Sequence, residues 1–175
     1  AASFDSAHDD VFGRIASRYD VLCDLFSLFI HRSWKRRVAH HIASRPWNLM
    51  LDAAAGTGDI ALRVMGRVSD PERRRCIVSD ISPAMLAVAQ RRAGSRTTGL
   101  DFRTLDAHHM PQIASDSIDL YAMSLGMKIC DRHLALEEAW RVLRPGGTFV
   151  CLEASDIPVA PLQRAYLAYM RVCMP

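Results

Sequence analysis

Short apolar runs alternate along this chain with longer segments in which apolar residues recur at helical spacing. The short runs predict buried strands at residues 49–53, 76–80, 100–104, 118–123 and 147–153. The longer segments predict helices at about 9–26, 32–44, 59–67, 83–92 and 132–143, and from about 159. Strands that alternate with helices are typical of an α/β fold with a doubly wound, mostly parallel sheet and right-handed crossovers. The pattern divides the chain into a helical N-terminal cap, residues 1–45, and an α/β domain, residues 46–175.

Two further expectations concern helix packing. The segment 132–143 carries apolar residues at helical spacing, and the turn Pro145-Gly146-Gly147 is predicted to end that helix. Trp34, in the second predicted helix, is expected to pack in the interior rather than to form a platform for a ring.

The first predicted strand runs directly into a glycine-rich turn, residues 55–58, and Asp59 opens the helix that follows. Glycine permits a positive φ and lets a ligand approach the backbone closely. In an α/β sheet such a turn lies at the carboxyl end of a strand, where nucleotide-like ligands bind. The spacing is neither a dinucleotide fingerprint nor a phosphate loop. Because Asp59 would repel a phosphate, a ligand with a cationic end fits better, and S-adenosylmethionine is such a ligand.

A second acid, Asp80, ends the next apolar run. A carboxylate at the end of the second strand can accept hydrogen bonds from both hydroxyls of an adenosine ribose. Ser82 and Pro83 then supply the N-cap and the first position of a helix. Together, the glycine turn and Asp80 favour S-adenosylmethionine as the cofactor.

The amino-acid composition further limits the class of protein and the partners that it can have. Half of the 175 residues are hydrophobic, 23% are charged and the net charge is +3, which describes a globular domain with one core. The arginine clusters are explained by solvated helix and turn positions, so no nucleic-acid partner is predicted. The five cysteines are scattered singly, so no metal site is expected and a reduced, cytoplasmic setting is indicated. No apolar run reaches the length of a membrane span.

At several segments the chain resembles the ubiquinone/menaquinone biosynthesis C-methyltransferases (UbiE-like), a class I S-adenosylmethionine-dependent family. The matching segments are residues 11–20, 31–35, 51–59, 80–82, 141–147 and 152–153. Two patterns, Phe-x-x-Ile-Ala-x-x-Tyr-Asp and His-Arg-x-Trp-Lys, are more specific to this family than the two glycine turns, which many class I methyltransferases share. The resemblance implies methylation of a quinol-like, prenylated or small aromatic acceptor, at carbon.

The resemblance also implies a role for each matching residue on the cofactor side. Thr57, between Gly56 and Gly58, lies in the turn whose amides face the methionine end. Asp52 and Asp59 are candidates to face its amino group, directly or through water, and Asp80 would hold the ribose. The remaining candidates lie around the adenine or near the cofactor: Ile81, Met85, Asp106, Ala107 and Ser124. For Asp106, a role as a turn or N-cap residue is the alternative.

The substrate side departs from the family pattern. Lys128 and Ile129 stand where the family has an Arg-Asn pair, and Lys128 keeps a charge without the planar fork of arginine. Tyr19 and His31, in the cap, are the other catalytic candidates, and His31 can equally cap or pack its helix. The neighbouring groups His108 and His109 can also titrate near neutral pH, although a solvated loop explains them as well.

These departures leave two alternatives open: a small-molecule O- or N-methyltransferase, and a cofactor-binding accessory protein without methyl transfer.

The acceptor pocket is expected between the cap and the loop 124–130, lined by Phe12, Tyr19, Phe26, Phe29, Met123 and Met127. A prenylated acceptor would bring the protein to a membrane surface, so peripheral membrane contact is an expectation. The family sheet has two further strands, and an unpaired edge here would be covered by a partner, such as a second copy in a homodimer.

Overall fold

The computed structural model describes residue 16 and residues 18–155 and 158–173. Its strands are β1 (Leu49–Ala53), β2 (Arg75–Asp80), β3 (Leu100–Thr104), β4 (Ile118–Ser124) and β5 (Leu143–Leu152). Its helices are α1 (Tyr19–Ser27), α2 (Ile30–Ala43), α3 (Asp59–Met65), α4 (Pro83–Ala93), α5 (Arg132–Val142) and α6 (Ala160–Cys173). Residues 9–15 and 17 of the predicted N-terminal helix, including Phe12, lie outside the described residues.

The strands form one sheet in the order β3-β2-β1-β4-β5, and every neighbouring pair is parallel. The predicted α/β fold is therefore confirmed. The chain moves outward from β1 to β3 and then returns to place β4 on the other side of β1. This reversal is a topological switch point, and ligands of such sheets bind at the carboxyl ends of the strands beside it.

Alternate residues of the central strands face two apolar clusters, as the pleat of a strand requires. Leu51 and Tyr121 face a cluster that α5 covers with Ala135, Ala139 and Val142. Met50, Val78 and Leu120 face the other cluster, which includes side chains of α2, α3 and α4. The sheet is thus covered on both faces, which holds the carboxyl ends of β1 and β4 in a fixed relation.

The predicted turn at residues 145–147 does not end a helix. α5 already ends at Val142, and Leu143 is extended because it pairs with Ile118 of β4. The register shifts before Thr148 continues the pairing, so the Pro-Gly-Gly segment is an irregularity within β5. Gly146 has a φ of 79°, which a glycine adopts without strain.

The expected burial of Trp34 is wrong, since this side chain is 40% exposed. The inward face of α2 carries His31, Lys35, Ala39 and Ile42 instead. Lys35 can occupy an apolar face because a carboxylate receives its ammonium group there. Trp34 lies on the flank of this face and is therefore partly exposed to solvent.

Candidate cofactor site

The glycine turn connects β1 to α3 at the switch point. Gly56 and Gly58 have φ values of 56° and 73°, as a tight turn of this kind requires. A Cβ on Gly58 would lie 3.0 Å from the Cβ of Ala89, so this glycine allows α4 to pack closely. A Cβ on Gly56 would be in ordinary van der Waals contact with the Met85 methyl carbon, at 4.0 Å, so the backbone at Gly56 is not crowded. The backbone at Gly56 is thus accessible to a ligand.

Asp80 is held against this turn at the end of β2. One carboxylate oxygen accepts a hydrogen bond from the Gly56 amide at 2.7 Å, and the other accepts from the Ser82 amide at 2.9 Å. Ser82 caps α4 by accepting from the Met85 amide, which confirms the predicted N-cap. Each carboxylate oxygen can accept more than one hydrogen bond, so these bonds are compatible with the predicted contact to a ribose.

Asp52 lies at the end of β1 and is only 1% exposed. One of its carboxylate oxygens accepts from the Ala61 amide at 3.0 Å, and the other, Oδ1, has no hydrogen-bond partner among the described residues. Burial raises the pKa of Asp52 to about 7, although the Ala61 bond and Lys35 act in the opposite direction. A buried carboxylate that lacks a partner is a ready acceptor for an ammonium group.

Ser124 provides a second buried oxygen without a partner at the same edge. It ends β4, directly after the residue that pairs with Ala53 of β1. Within the described range, the one remaining buried side-chain oxygen of this kind belongs to Tyr121, whose ring stacks on Phe149 in the core. The two oxygens at the edge and the uncrowded backbone at Gly56 fit a cofactor that carries an ammonium group and hydroxyls.

Asp59 has a different environment, although it is buried too. Its carboxylate pairs with Lys35 at 3.3 Å and accepts hydrogen bonds from Arg63 and Arg92 at 3.0 Å each. Burial alone would raise the pKa of Asp59, but these three cations lower it to about 2. Because the protein already neutralises Asp59, the geometry favours Asp52 over Asp59 for the amino group of a cofactor.

Asp106 and Ala107 follow β3 at the same edge of the sheet. One oxygen of Asp106 accepts from the backbone amide and the ring Nδ1 of His108, at 2.9 and 2.8 Å. The other ring nitrogen of His108 accepts from the Asp131 amide at 2.9 Å, and Asp131 caps α5. His108 therefore ties the loop after β3 to α5, which the sequence pattern did not indicate. Asp106 has the turn geometry of the alternative interpretation, and adenine recognition stays a prediction.

His31 lies between α1 and α2, where it is 5% exposed. Its Nδ1 is 2.5 Å from the Ser27 hydroxyl, and its Nε2 is 3.7 Å from Asp24. Burial and the nearby Lys35 lower the pKa of His31. This environment favours the packing role over proton transfer.

Lys128 and Ile129 lie on the loop after β4, and both are exposed. The Lys128 amide donates to the Glu153 carboxylate at 3.2 Å, which ties this loop to the end of β5. Ile129 is 57% exposed, so its side chain lies on the surface of this loop. Tyr19 begins α1, and its side chain lies outside the described part of the structure, so its catalytic role stays a prediction.

The residues expected to line the acceptor pocket differ in their exposure to solvent. Met123 and Met127 are buried in the core cluster, whereas Phe29 is 62% exposed. A cavity of about 460 Å³ lies elsewhere, at the amino ends of the strands, where its lining includes Leu49, Arg75 and Leu100. Since the glycine turn lies at the carboxyl ends, this cavity is not part of the candidate cofactor site.

Among the residues that the structure describes, no cluster of histidine, cysteine, aspartate or glutamate side chains is arranged to hold a metal ion. No helix among them has the length and hydropathy needed to cross a membrane.

The strand order, the glycine turn at the switch point and the acid that ends β2 define the class I methyltransferase fold. A solved structure of this fold is that of a geranyl diphosphate methyltransferase in complex with GPP and sinefungin. It superposes with a TM-score of 0.61 at 17% identity, over 81% of this chain and 58% of that chain. At this level of identity the likeness shows the fold alone.

Within this class, the sequence identifies the family. The ubiE/COQ5 methyltransferase family matches residues 3–175, and the chain belongs to it. The chain is 43% identical to the ubiquinone/menaquinone biosynthesis C-methyltransferase UbiE of Methylobacterium nodulans, over 92% of this chain and 64% of that protein. It is 37% identical to the mitochondrial 2-methoxy-6-polyprenyl-1,4-benzoquinol methylase of Schizosaccharomyces pombe, over 95% of this chain and 58% of that protein. The chain thus spans about three fifths of the length of these curated relatives.

Proposed function

We propose that this chain binds S-adenosylmethionine at the carboxyl ends of β1, β2 and β4 and methylates a ring carbon of a quinol-like acceptor in ubiquinone or menaquinone biosynthesis. Family membership and the names of the relatives support the cofactor and the acceptor class. The observation that carries the proposal is the unpartnered Oδ1 of Asp52 at the end of β1, together with the carboxylate of Asp80 that the Gly56 amide holds against the glycine turn.

In this proposal, two carboxylates bind two different parts of the cofactor. Asp52 neutralises the ammonium group of the cofactor, and Asp80 accepts from the ribose hydroxyls. When bound, S-adenosylmethionine supplies an electrophilic methyl group on a sulfonium centre. Fixing the cofactor at two separate points restricts where that methyl group lies, and alignment of two reactants can supply roughly 7–11 kcal/mol of a barrier.

The acceptor needs activation as well as alignment. A quinol ring carbon becomes nucleophilic when a ring hydroxyl loses its proton. In this proposal, the exposed ammonium group of Lys128 stabilises the resulting phenolate by its charge, without the bidentate geometry that an arginine would give. Tyr19, at the start of α1, is the residue of the cap that is proposed to contact the acceptor.

Calorimetry with S-adenosylhomocysteine tests the cofactor part of the proposal. Asp80→Asn should weaken binding, because it replaces a charged acceptor of the ribose hydroxyls with a neutral one. Asp101→Asn is the matched control, since Asp101 pairs with Arg103 on the surface of β3. Unchanged affinity in Asp80→Asn would remove the ribose assignment, and tight binding of a nicotinamide dinucleotide would remove the whole proposal.

Methyl transfer separates the acceptor classes. The chain is incubated with labelled S-adenosylmethionine and either detergent-solubilised demethyl-quinols or simple catechols, and the products are analysed by mass spectrometry. Label on a quinol ring carbon is expected. Turnover of catechols alone would favour the small-molecule O- or N-methyltransferase, and cofactor binding without transfer to either acceptor would favour the accessory protein.

Peripheral membrane contact and self-association belong to the same proposal. A prenylated acceptor resides in a membrane, and the corner between α1 and α2 exposes Leu28, Phe29 and Ile30 beside Arg32. Sedimentation with vesicles that contain anionic lipid should carry the chain down, and Phe29→Ser should reduce the bound fraction. β3 and β5 are the two edge strands of the described sheet. The second part of this proposal is that the chain forms a homodimer. Light scattering that gives a monomer would exclude this second part.

A further inference from the structure

A network of charged and polar side chains joins three helices to the glycine turn. The Thr57 hydroxyl donates to a carboxylate oxygen of Asp20 on α1 at 2.9 Å. Arg92 of α4 donates to the same hydroxyl at 2.7 Å and to the Thr57 carbonyl at 2.9 Å, and it pairs with Asp20 at 3.2 Å. The side chain and the backbone of Thr57 are therefore both fixed from outside the turn.

The network continues on the other side of Gly58. Arg92 also donates to Asp59 at 3.0 Å, and Asp59 pairs with Lys35 of α2 at 3.3 Å. Lys35 and Asp59 are 6% and 7% exposed. One guanidinium group thus bridges the residues that precede and follow Gly58, while α1 and α2 each supply one charged partner.

We infer that Asp20 and Arg92 are positioning residues that set the conformation of the glycine turn for the cofactor and make it depend on the docked cap. The part of the N-terminal cap that makes these contacts is α1 and α2, which lie within residues 19–43. The inference rests on the proposed function, because the turn is the proposed cofactor site. Coupling between two events is reciprocal, so a ligand that needs the ordered turn must also stabilise the docked cap.

The exposure of Asp20 and Arg92 distinguishes a positioning role from a contribution to the global stability of the fold. The side chains of Asp20 and Arg92 are 41% and 32% exposed, and ion pairs at such positions contribute little to global stability. Their loss should therefore spare the fold and release Thr57. Lys35 is unsuited to the same test, because it is buried and is the strongest of the cations that lower the pKa of Asp59. Arg92 contributes less to that pKa, and without it Asp59 keeps Lys35 at 3.3 Å and Arg63 at 3.0 Å.

The experiment compares the wild-type chain with Asp20→Asn, Arg92→Met and the double variant. Arg103→Met is the matched control, because Arg103 forms an exposed pair with Asp101 on β3. Calorimetry measures the affinity for S-adenosylhomocysteine, and amide hydrogen exchange of residues 19–43 is followed with and without saturating ligand. In the wild type and the control, the ligand should slow exchange in the cap. Arg92→Met should lose about tenfold or more in affinity and lose this protection at saturation, with a modest fall in the thermal midpoint because Asp59 keeps two of its three cations. Asp20→Asn should lose affinity and protection with thermal unfolding unchanged, because it leaves all three cations of Asp59 in place.

The possible results test the shared network, the positioning role and the proposed function separately. A double variant that loses no more affinity than Arg92→Met alone would support one shared network, whereas additive losses would contradict it. A wild-type chain that binds the ligand without slower exchange in the cap would overturn the inference, and so would Arg92→Met with normal affinity and protection. A wild-type chain that does not bind S-adenosylhomocysteine would instead overturn the proposed function.

Discussion

Replacement of Asp52 by asparagine should change how the stability of the protein depends on pH. Burial raises the pKa of Asp52 from 3.8 to about 7. Between these values the folded state holds a proton that the unfolded state has lost. The free energy of unfolding therefore falls as pH rises through this window, and the whole loss is present above about pH 7. Asparagine has the same shape and does not titrate.

The two pKa values give the size of the effect. Each unit of difference corresponds to about 1.4 kcal/mol, so the complete loss is about 4 kcal/mol. Between pH 5 and pH 8 the same linkage gives a loss of about 2–3 kcal/mol, because part of it has already occurred at pH 5. Only the wild type should show this component of the pH dependence.

Urea unfolding of both proteins at several values between pH 5 and pH 8 measures the effect. The relevant quantity is the difference between the wild-type and Asp52→Asn free energies of unfolding, because other titrating groups cancel in it. This difference should move by about 2–3 kcal/mol in favour of the variant as pH rises. A difference that stays constant with pH would refute the raised pKa, whatever the absolute stability of the variant.

Ligand binding provides a second measurement of the same carboxylate. If Asp52 receives the ammonium group of S-adenosylhomocysteine, it must be ionised in the complex, so binding near pH 6.5 should release a proton. Calorimetry in buffers with different ionisation enthalpies detects this release, and Asp52→Asn should abolish it. Proton release that persists in the variant would assign it to another group.

Three further predictions test the turn and the substrate side. Asp80→Asn should reduce S-adenosylhomocysteine affinity by about 1.5–3 kcal/mol, and a smaller loss than in Asp101→Asn would contradict its role. Gly58→Ala should cost more stability than Gly94→Ala in urea unfolding, because both have a positive φ but only Gly58 faces a neighbour at 3.0 Å; equal costs would exclude the contact with Ala89. The double change Lys128→Arg and Ile129→Asn should alter the free energy of unfolding by less than about 0.5 kcal/mol, since Ile129 is exposed. It should also lower turnover of the native acceptor if these two residues suit an acceptor other than the one the family pair serves; a gain in the turnover of quinols would contradict this.

The sequence predicts those features of the fold that are encoded locally. The strands, the glycine turn and the Ser82 cap follow from apolar runs and from residues with strong turn or capping preferences, and the structure contains all of them. The boundary between α5 and β5 was missed because it is set by the pairing of Leu143 with Ile118, which is a contact between distant residues. A Pro-Gly-Gly segment is a strong local signal, but tertiary pairing overrides it here.

Burial of charged residues is the part that the sequence pattern does not reveal. Lys35 and Trp34 are neighbours in a helix, and hydrophobicity alone assigns the tryptophan to the interior. The structure buries the lysine instead, since its ammonium group meets Asp59. Nothing in the local pattern of α2 indicates a carboxylate on another helix, so this reversal requires the folded structure.

Asp52 and Asp59 carry the same argument into the candidate site. Both carboxylates are buried at the glycine turn, and the family resemblance makes both of them candidates for the amino group of the cofactor. The structure separates them by the cations that surround each one: three reach Asp59 and lower its pKa, whereas Asp52 has an oxygen without a hydrogen-bond partner in the described structure and a raised pKa. A carboxylate that the protein has already neutralised organises the turn. A carboxylate with one oxygen left without a partner is available for a cationic ligand, and its cost to stability is recovered when that ligand binds.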